Sequence, residues 1–250
     1  FYTVDDFKPF DSKSRTWTLK DGVVNSSPLS GDPRPGNAKF KKLTAVDESS
    51  ANPYTLTDAD RTVIGNTTPK FSGGFGLNAT FKGFDVNVFF NFMYDFDVFN
   101  ANKVMMTTWA SNNYNNFSMD ISSEKRWRNF DDMGNEIRYS PEVLAEFNKN
   151  ATMWNPTSIG RPIAMSYAVE DGSFLRLNTA TIGYTLPRAW TTKVGLSKVR
   201  FYMSGYNLFT ITGYSGYDPE VDIATGLTPN IDNNRYPRSR TYTFGAQLTF

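Results

Sequence analysis

Apolar and polar residues alternate with a period of two along four stretches of the chain. The longest is KFSGGFGLNATFKGFDVNVFFNFMYD, Lys70 to Asp95. Phe71, Gly73, Phe75, Leu77, Ala79 and Phe81 share one face of its first arm; Ser72, Gly74, Gly76, Asn78, Thr80 and Lys82 share the other. Beyond Lys82-Gly83 the oily face continues through Phe84, Val86, Val88, Phe90, Phe92 and Tyr94, opposed by Asp85, Asn87, Phe89, Asn91, Met93 and Asp95. The period predicts two strands. A two-residue connection that keeps the oily parity predicts a tight hairpin. Arms of about 12 residues extend roughly 40 Å, and tilted by about 45° they cross the apolar band of a bilayer. A hairpin of a soluble sandwich is the alternative, although soluble strands are usually shorter.

Gly172 to Pro187, GSFLRLNTATIGYTLP, predicts a third strand. Leu175 and Leu177 alternate with Arg176, and the phase slips near Asn178-Thr179 before Ala180, Ile182, Tyr184 and Leu186 resume it. One slipped residue predicts a β-bulge. VRFYMSGYNLFTI sets Val199, Phe201 and Met203 against Arg200, Tyr202 and Ser204. The last stretch, RTYTFGAQLTF, places Tyr242, Phe244, Ala246, Leu248 and Phe250 on one face and Thr241, Thr243, Gly245, Gln247 and Thr249 on the other.

Long polar segments lie between these strands, at 23–69, 101–171 and 213–238; within the second, Ser140 as N-cap and Pro141 at the first position predict a short helix through EVLAEF. Loops of this length are unusual in a compact soluble domain. With the end of the last strand on the periplasmic side, Lys82-Gly83 and the link 187–198 fall inside, and all three long segments fall outside. Short periplasmic turns with long outer loops are the arrangement of a transmembrane barrel, and a sandwich has no reason to sort its loops so.

Composition sharpens this picture. No apolar run is long enough for a transmembrane helix, whereas a barrel strand needs only about 9–11 residues with half of them facing water. Aromatic residues make up 16% of a chain whose mean hydropathy is −0.46, a mix suited to strands and interfacial girdles. Twenty-six basic and 25 acidic residues leave a net charge of +1, which points to no nucleic acid. The absence of Cys and His removes disulfides, thiolate chemistry and His-based triads. The opening FYTVDDFKPF, without Met or leader, is expected of a mature or internal segment.

Four segments together resemble the SusC/RagA family of TonB-linked outer-membrane transporters: Arg61–Phe90, Asp171–Pro187, Val199–Asp222 and Tyr236–Phe250. The resemblance implies an all-β fold, a transmembrane antiparallel barrel of about 22 strands closed by a plug. Residues 1–250 are then its C-terminal segment, about the last six strands, without the plug or the N-terminal strands. It further implies active import of oligosaccharides or peptides, with no catalysis and no cofactor. Implied partners are a SusD-like surface lipoprotein, TonB-ExbB-ExbD engaged through the missing N-terminal part, the barrel-assembly machinery and the lipid bilayer of a bacterial outer membrane. A siderophore or cobalamin receptor, and a soluble secreted sandwich binding glycans through Trp and Tyr, are the alternatives.

Candidate chemistry is sparse. Asp218, Glu220 and Asp222 in YDPEVD could form a glycosidase pair or ligate calcium, but loop acids are usually solvated and Asp-Pro opens turns. No ion-binding role is carried onto Asp58 or Asp60. SEKRWRNF, Ser123 to Phe130, sets three cations around Trp127. An anion or nucleic-acid site is one reading of it; an outer strand end with a girdle or loop aromatic is the preferred one. Trp109, Tyr114, Trp127 and Trp154 in the longest outer loop are the candidate ligand contacts, since aromatic faces stack on sugars and peptides; loop packing or contact with a partner protein is an equal reading of each. The resemblance implies that the terminal stripe, Tyr242, Phe244, Leu248 and Phe250, is read during barrel assembly. No catalytic residue and no metal ligand is assigned.

Overall fold

The computed structural model describes residues 1–109, 116–160, 163–221 and 229–250. These fall into two compact units, one of Phe1–Val63 with Asn102–Met165 and one of Ile64–Ala101 with Ser166–Phe250.

The second unit holds the strands: β1 (Phe71–Phe81), β2 (Phe84–Tyr94), β3 (Asp97–Asn100), β4 (Val169–Asp171), β5 (Phe174–Thr185), β6 (Lys198–Thr212), β7 (Ile231–Asp232) and β8 (Thr241–Thr249). Five of them form an antiparallel sheet in the order β1-β2-β5-β6-β8. These are the strands that the period-two pattern predicts, five among the described residues where the family resemblance implies about six. Lys82 and Gly83 both have positive φ, 46° and 90°, the backbone that a two-residue turn of type I′ demands. The turn therefore pairs Phe81 with Phe84 and keeps the oily face in register up to Phe71 opposite Tyr94.

The bulge falls where the phase slips. Phe89 pairs with Thr179 and Phe90 with Leu177, so Asn178 is the extra residue of β5. On the far side Leu177 faces Phe209 and Thr179 faces Tyr206, with Asn207 in the left-handed region at φ 52°. The slip restores both faces on either side of it. Leu175, Leu177, Ala180, Ile182 and Tyr184 all register with apolar partners of β2.

A second, three-stranded sheet runs β4-β3-β7, with β3 antiparallel to β4 and parallel to β7. Beside it Phe96, Val98, Phe174, Tyr214 and Val221 are buried together, with Met93 packed on them. This core lies at the end of the sheet from which the long connections leave. The short connections, 82–83 and 186–197, occupy the other end, as the sequence predicts.

The first unit has no named strand among its described residues and is built from turns and short helices. Pro141–Phe147 is helical with Ser140 at the N-cap as predicted, although the Ser140 side chain makes no capping bond. Leu144 of that helix packs with Trp127 and Ile137, and Phe1, Val4, Trp17 and Phe147 lean on this core.

Candidate functional site

The two faces of the five-stranded sheet differ in kind. On one face Phe71, Phe75, Leu77, Phe81 and Phe84 are exposed, as are Ile182, Phe201, Met203, Phe209, Ile211, Tyr242, Phe244 and Leu248. Phe75 stacks on Phe90 with centroids 5.1 Å apart, and Phe84 lies 4.5 Å from Tyr184. These neighbours pair with one another without covering the surface. A continuous apolar face on this scale is far beyond the scattered exposure of a soluble surface, and lipid is the environment that it suits.

The opposite face is mainly polar and internally bonded, with Phe89 and Tyr206 as exposed rings on it. The Asn87 amide donates to the Asn78 side chain, and Thr181 and Ser204 share a hydroxyl bond of 2.8 Å. Arg200 donates to Asp85 through Nε at 2.9 Å and Nη2 at 2.5 Å. That pair joins β2 to β6 by passing over Gly183 of β5. A Cβ there would stand 2.5 Å from Arg200 Nη2 and 2.6 Å from Asp85 Oδ1. Glycine is thus what lets the fork lie flat on the sheet. Arg200 also sits 5.1 Å from the Tyr202 ring centroid.

At the long-connection end Arg176, 2% exposed, holds the loop that follows β6. It donates to Asp218 at 2.5 Å and lies 3.7 Å from Glu220, which also accepts from Arg238 at 2.6 Å. Burial works to raise the Asp218 pKa, but hydrogen bonds from Arg176 and from the Glu220 amide outweigh it and hold the carboxyl below its ordinary value. The expectation that YDPEVD is a run of solvated loop acids is therefore corrected at Asp218 and Glu220. Asp222 lies outside the described residues. Beside them Tyr214 donates to Asp232 at 2.7 Å, and burial first, then that carboxylate, push its phenol well above the ordinary value. Glu170 accepts from Ser215 N and Oγ at 2.9 and 2.8 Å and from Asn100 Nδ2 at 3.2 Å. These bonds tie β3, β4 and the loop after β6 into one assembly.

In the first unit Asp60, its side chain 4% exposed, gathers a loop by accepting from Leu43 N, Thr44 N, Thr44 Oγ1 and Thr57 N within 3.0 Å. Those donors, Thr44 foremost, hold its carboxyl far below the usual range. Its partners are backbone and side-chain donors of the chain itself, with Lys42 3.3 Å away.

The aromatic candidates separate. Trp127, 3% exposed, is a core residue and not an open platform: it packs edge-on to Phe1 at 5.7 Å and lies on Gly36. Gly36 has φ 86°, and a Cβ there would come within 2.1 Å of the indole, so glycine is required twice over. Trp109 is half-exposed, 5.7 Å from Phe117, and lines a pocket of about 400 Å³ together with Phe117, Trp127 and Phe130. Trp154 is partly buried and is not among the residues lining it. Tyr114 lies outside the described residues. Of the terminal stripe, Tyr242, Phe244 and Leu248 point out from β8 on the apolar face, and Phe250 just beyond it is 89% exposed.

An antiparallel sheet with one lipid-type face, one hydrated face, short turns at one end and long connections leaving the other is a sector of a transmembrane β-barrel. No family model matches the chain. Over 228 residues it is 32% identical to TonB-dependent receptor P3 of Formosa agariphila, covering 89% of this chain and 20% of that protein. Over 164 residues it is 32% identical to the TonB-dependent receptor SusC of Bacteroides thetaiotaomicron, covering 60% of this chain and 15% of that protein. The solved structure of the RagAB peptide transporter shares the fold with a TM-score of 0.52 at 23% identity, over 98% of this chain and 22% of that one. The chain belongs to the TonB-dependent receptors of the SusC/RagA type, and it spans about a fifth of the length of the relatives it matches most fully.

Proposed function

We propose that this chain supplies part of the barrel wall and outer loops of an outer-membrane importer for oligosaccharides or peptides. Uptake is driven by TonB-ExbB-ExbD and served by a SusD-like surface lipoprotein. The observation that carries this reading is the sheet with one face fit for lipid and the other for water. Its free edges add a requirement: β1 and β8 each present one unpaired edge among the described residues, and unpaired backbone groups are not tolerated in lipid. Further strands and a plug, from sequence outside residues 1–250, close the barrel around the polar face. The chain then makes and breaks no bond in its substrate. The lumen-facing Asn78, Asn87, Asp85 and Arg200 are wall groups in this reading, and the terminal stripe guides insertion by the assembly machinery.

The test begins with the polypeptide in detergent-extracted outer membrane. Its denatured mass should be several times the 28.2 kDa of this chain, and a lipoprotein should copurify with it. Uptake of labelled glycan or peptide by intact cells should stop when a protonophore collapses the inner-membrane gradient. A polypeptide of 28.2 kDa extracted without detergent would refute the reading.

A further inference from the structure

The pocket beside Trp109 is one half of a larger cleft. A second pocket of about 460 Å³ in the same unit is walled by Trp17, Tyr139, Arg15 and Arg34 among others. The two share Asn129, Arg138 and Thr157. Their walls contain five arginines (Arg15, Arg34, Arg126, Arg128 and Arg138) against two aspartates, Asp32 and Asp131. For a chain whose net charge is +1, this is a local concentration of positive charge.

Most of that charge is not neutralised internally. Arg128 pairs with Asp132 at 2.7 Å and Arg138 with Glu136. Asp131 is engaged by its own turn, its carboxylate accepting from Asn135 N at 2.8 Å, Asn135 Nδ2 at 2.9 Å and Met133 N at 2.9 Å. Arg15, Arg34 and Arg126 have no carboxylate partner among the described residues. Arg15 lies over the Tyr139 ring at 5.3 Å, and the Arg126 guanidinium donates to the Ile121 carbonyl at 3.4 Å. A guanidinium so placed keeps its fork of donors open for a carboxylate or sulfate.

We infer that this cleft is a binding site for acidic oligosaccharides, sugars bearing carboxylate or sulfate groups. Rings and amides choose sugar over peptide. Trp109 and Phe130, each 47% exposed, offer apolar faces to a pyranose. Asn129, Thr157 and Asn37 offer side-chain donors and acceptors suited to ring hydroxyls. An extended peptide is most readily held by an unpaired strand edge, and no strand stands in this unit among the described residues. The inference deepens the importer reading and rests on it, naming the acidic members of the substrate class.

The test uses the full transporter in detergent and isothermal titration with four tetrameric probes. Tetragalacturonate and a carrageenan tetrasaccharide should bind, and their ratio tells carboxylate from sulfate. Cellotetraose and tetraglutamate should bind at least about tenfold more weakly, because each lacks one of the two features that the cleft reads. Arg34→Gln with Arg126→Gln should weaken the acidic sugars about tenfold or more, the scale of lost charge-assisted hydrogen bonds. Arg34→Lys with Arg126→Lys, which keeps the charge and loses the fork, should fall between the parent and the Gln variant, and unchanged limited proteolysis of both variants excludes misfolding. Equal binding of cellotetraose or of tetraglutamate overturns the inference, as does a Gln variant that binds like the parent. Energised uptake of neutral glycans alone would overturn it and leave the importer standing. Binding of tetragalacturonate by a transporter that imports nothing would do the reverse.

Discussion

A single arginine placed on either face of β1 tests the membrane assignment. Leu77 lies one residue past the middle of β1, is 64% exposed and pairs with Val88. With strands tilted by about 45°, each residue advances roughly 2.3 Å across the bilayer, so Leu77 sits about 9 Å from the turn end of its strand. Leu77→Arg puts a charge near the midplane and should cost about 2–4 kcal/mol. Phe81→Arg, at the turn, should cost about 0–1 kcal/mol on the same scale. Asn78→Arg is at the depth of Leu77 on the opposite face. It loses one amide bond to Asn87, about 0.5–1.5 kcal/mol, with no lipid penalty. The assay is guanidinium unfolding of the full transporter in phosphocholine vesicles, followed by tryptophan fluorescence. The expected order of cost is Leu77 above Asn78 and Phe81. Asn78→Arg costing as much as Leu77→Arg, or more, would refute the face assignment.

Other perturbations probe the loops. Asp218→Ala removes the carboxylate hydrogen-bonded to the buried Arg176 guanidinium and leaves Glu220 at 3.7 Å as its remaining partner; it should destabilise the loop by about 3 kcal/mol, seen as new proteolytic cleavage between Gly213 and Val221 while the barrel stays folded. Trp127→Ala empties the core of the first unit at a cost of about 3–5 kcal/mol, read as faster amide exchange around Ile137 and Leu144. Asp60 has its carboxyl pKa lowered by folding, so its contribution is complete above the unfolded value near 3.9 and is lost as pH falls towards the folded value. Amide protection at Thr44 and Thr57 should hold at neutral pH and decline below about pH 4, and Asp60→Asn should remove that dependence. Gly183→Val should displace the Asp85–Arg200 fork, abolishing the coupling between Asp85 and Arg200 in a double-mutant cycle.

The barrel strands were legible because each is long enough for period two to show, and the slip at Asn178 was legible because a bulge inverts parity. β3, β4 and β7 escaped for the opposite reason: strands of two to four residues show no period. Arg176 read as one polar position on a strand, and Asp218 as a solvated acid. Their bond joins positions 42 residues apart, and nothing local in either segment announces it. Trp127 among Lys125, Arg126 and Arg128 suggested an outer aromatic. Its burial is set by Gly36 and Phe1, far away in sequence. Of the aromatic candidates Trp109 lines the cleft, whose positive charge comes from arginines scattered over three segments.

The small sheet β4-β3-β7 limits how this surface can evolve or be re-engineered. Its strands come from both ends of the long insertion that follows β2 and from the insertion that follows β6. Neither insertion can be exchanged alone without leaving the other with a half-finished backbone ladder. New specificities should therefore arise by substitution inside the loops, or by transfer of both insertions as one cassette. A chimera that carries residues 1–63 and 101–168 together from a relative keeps β3 and β4 native and the core of the first unit matched, and it should assemble; one that also takes residues 97–100 without 231–232 should not.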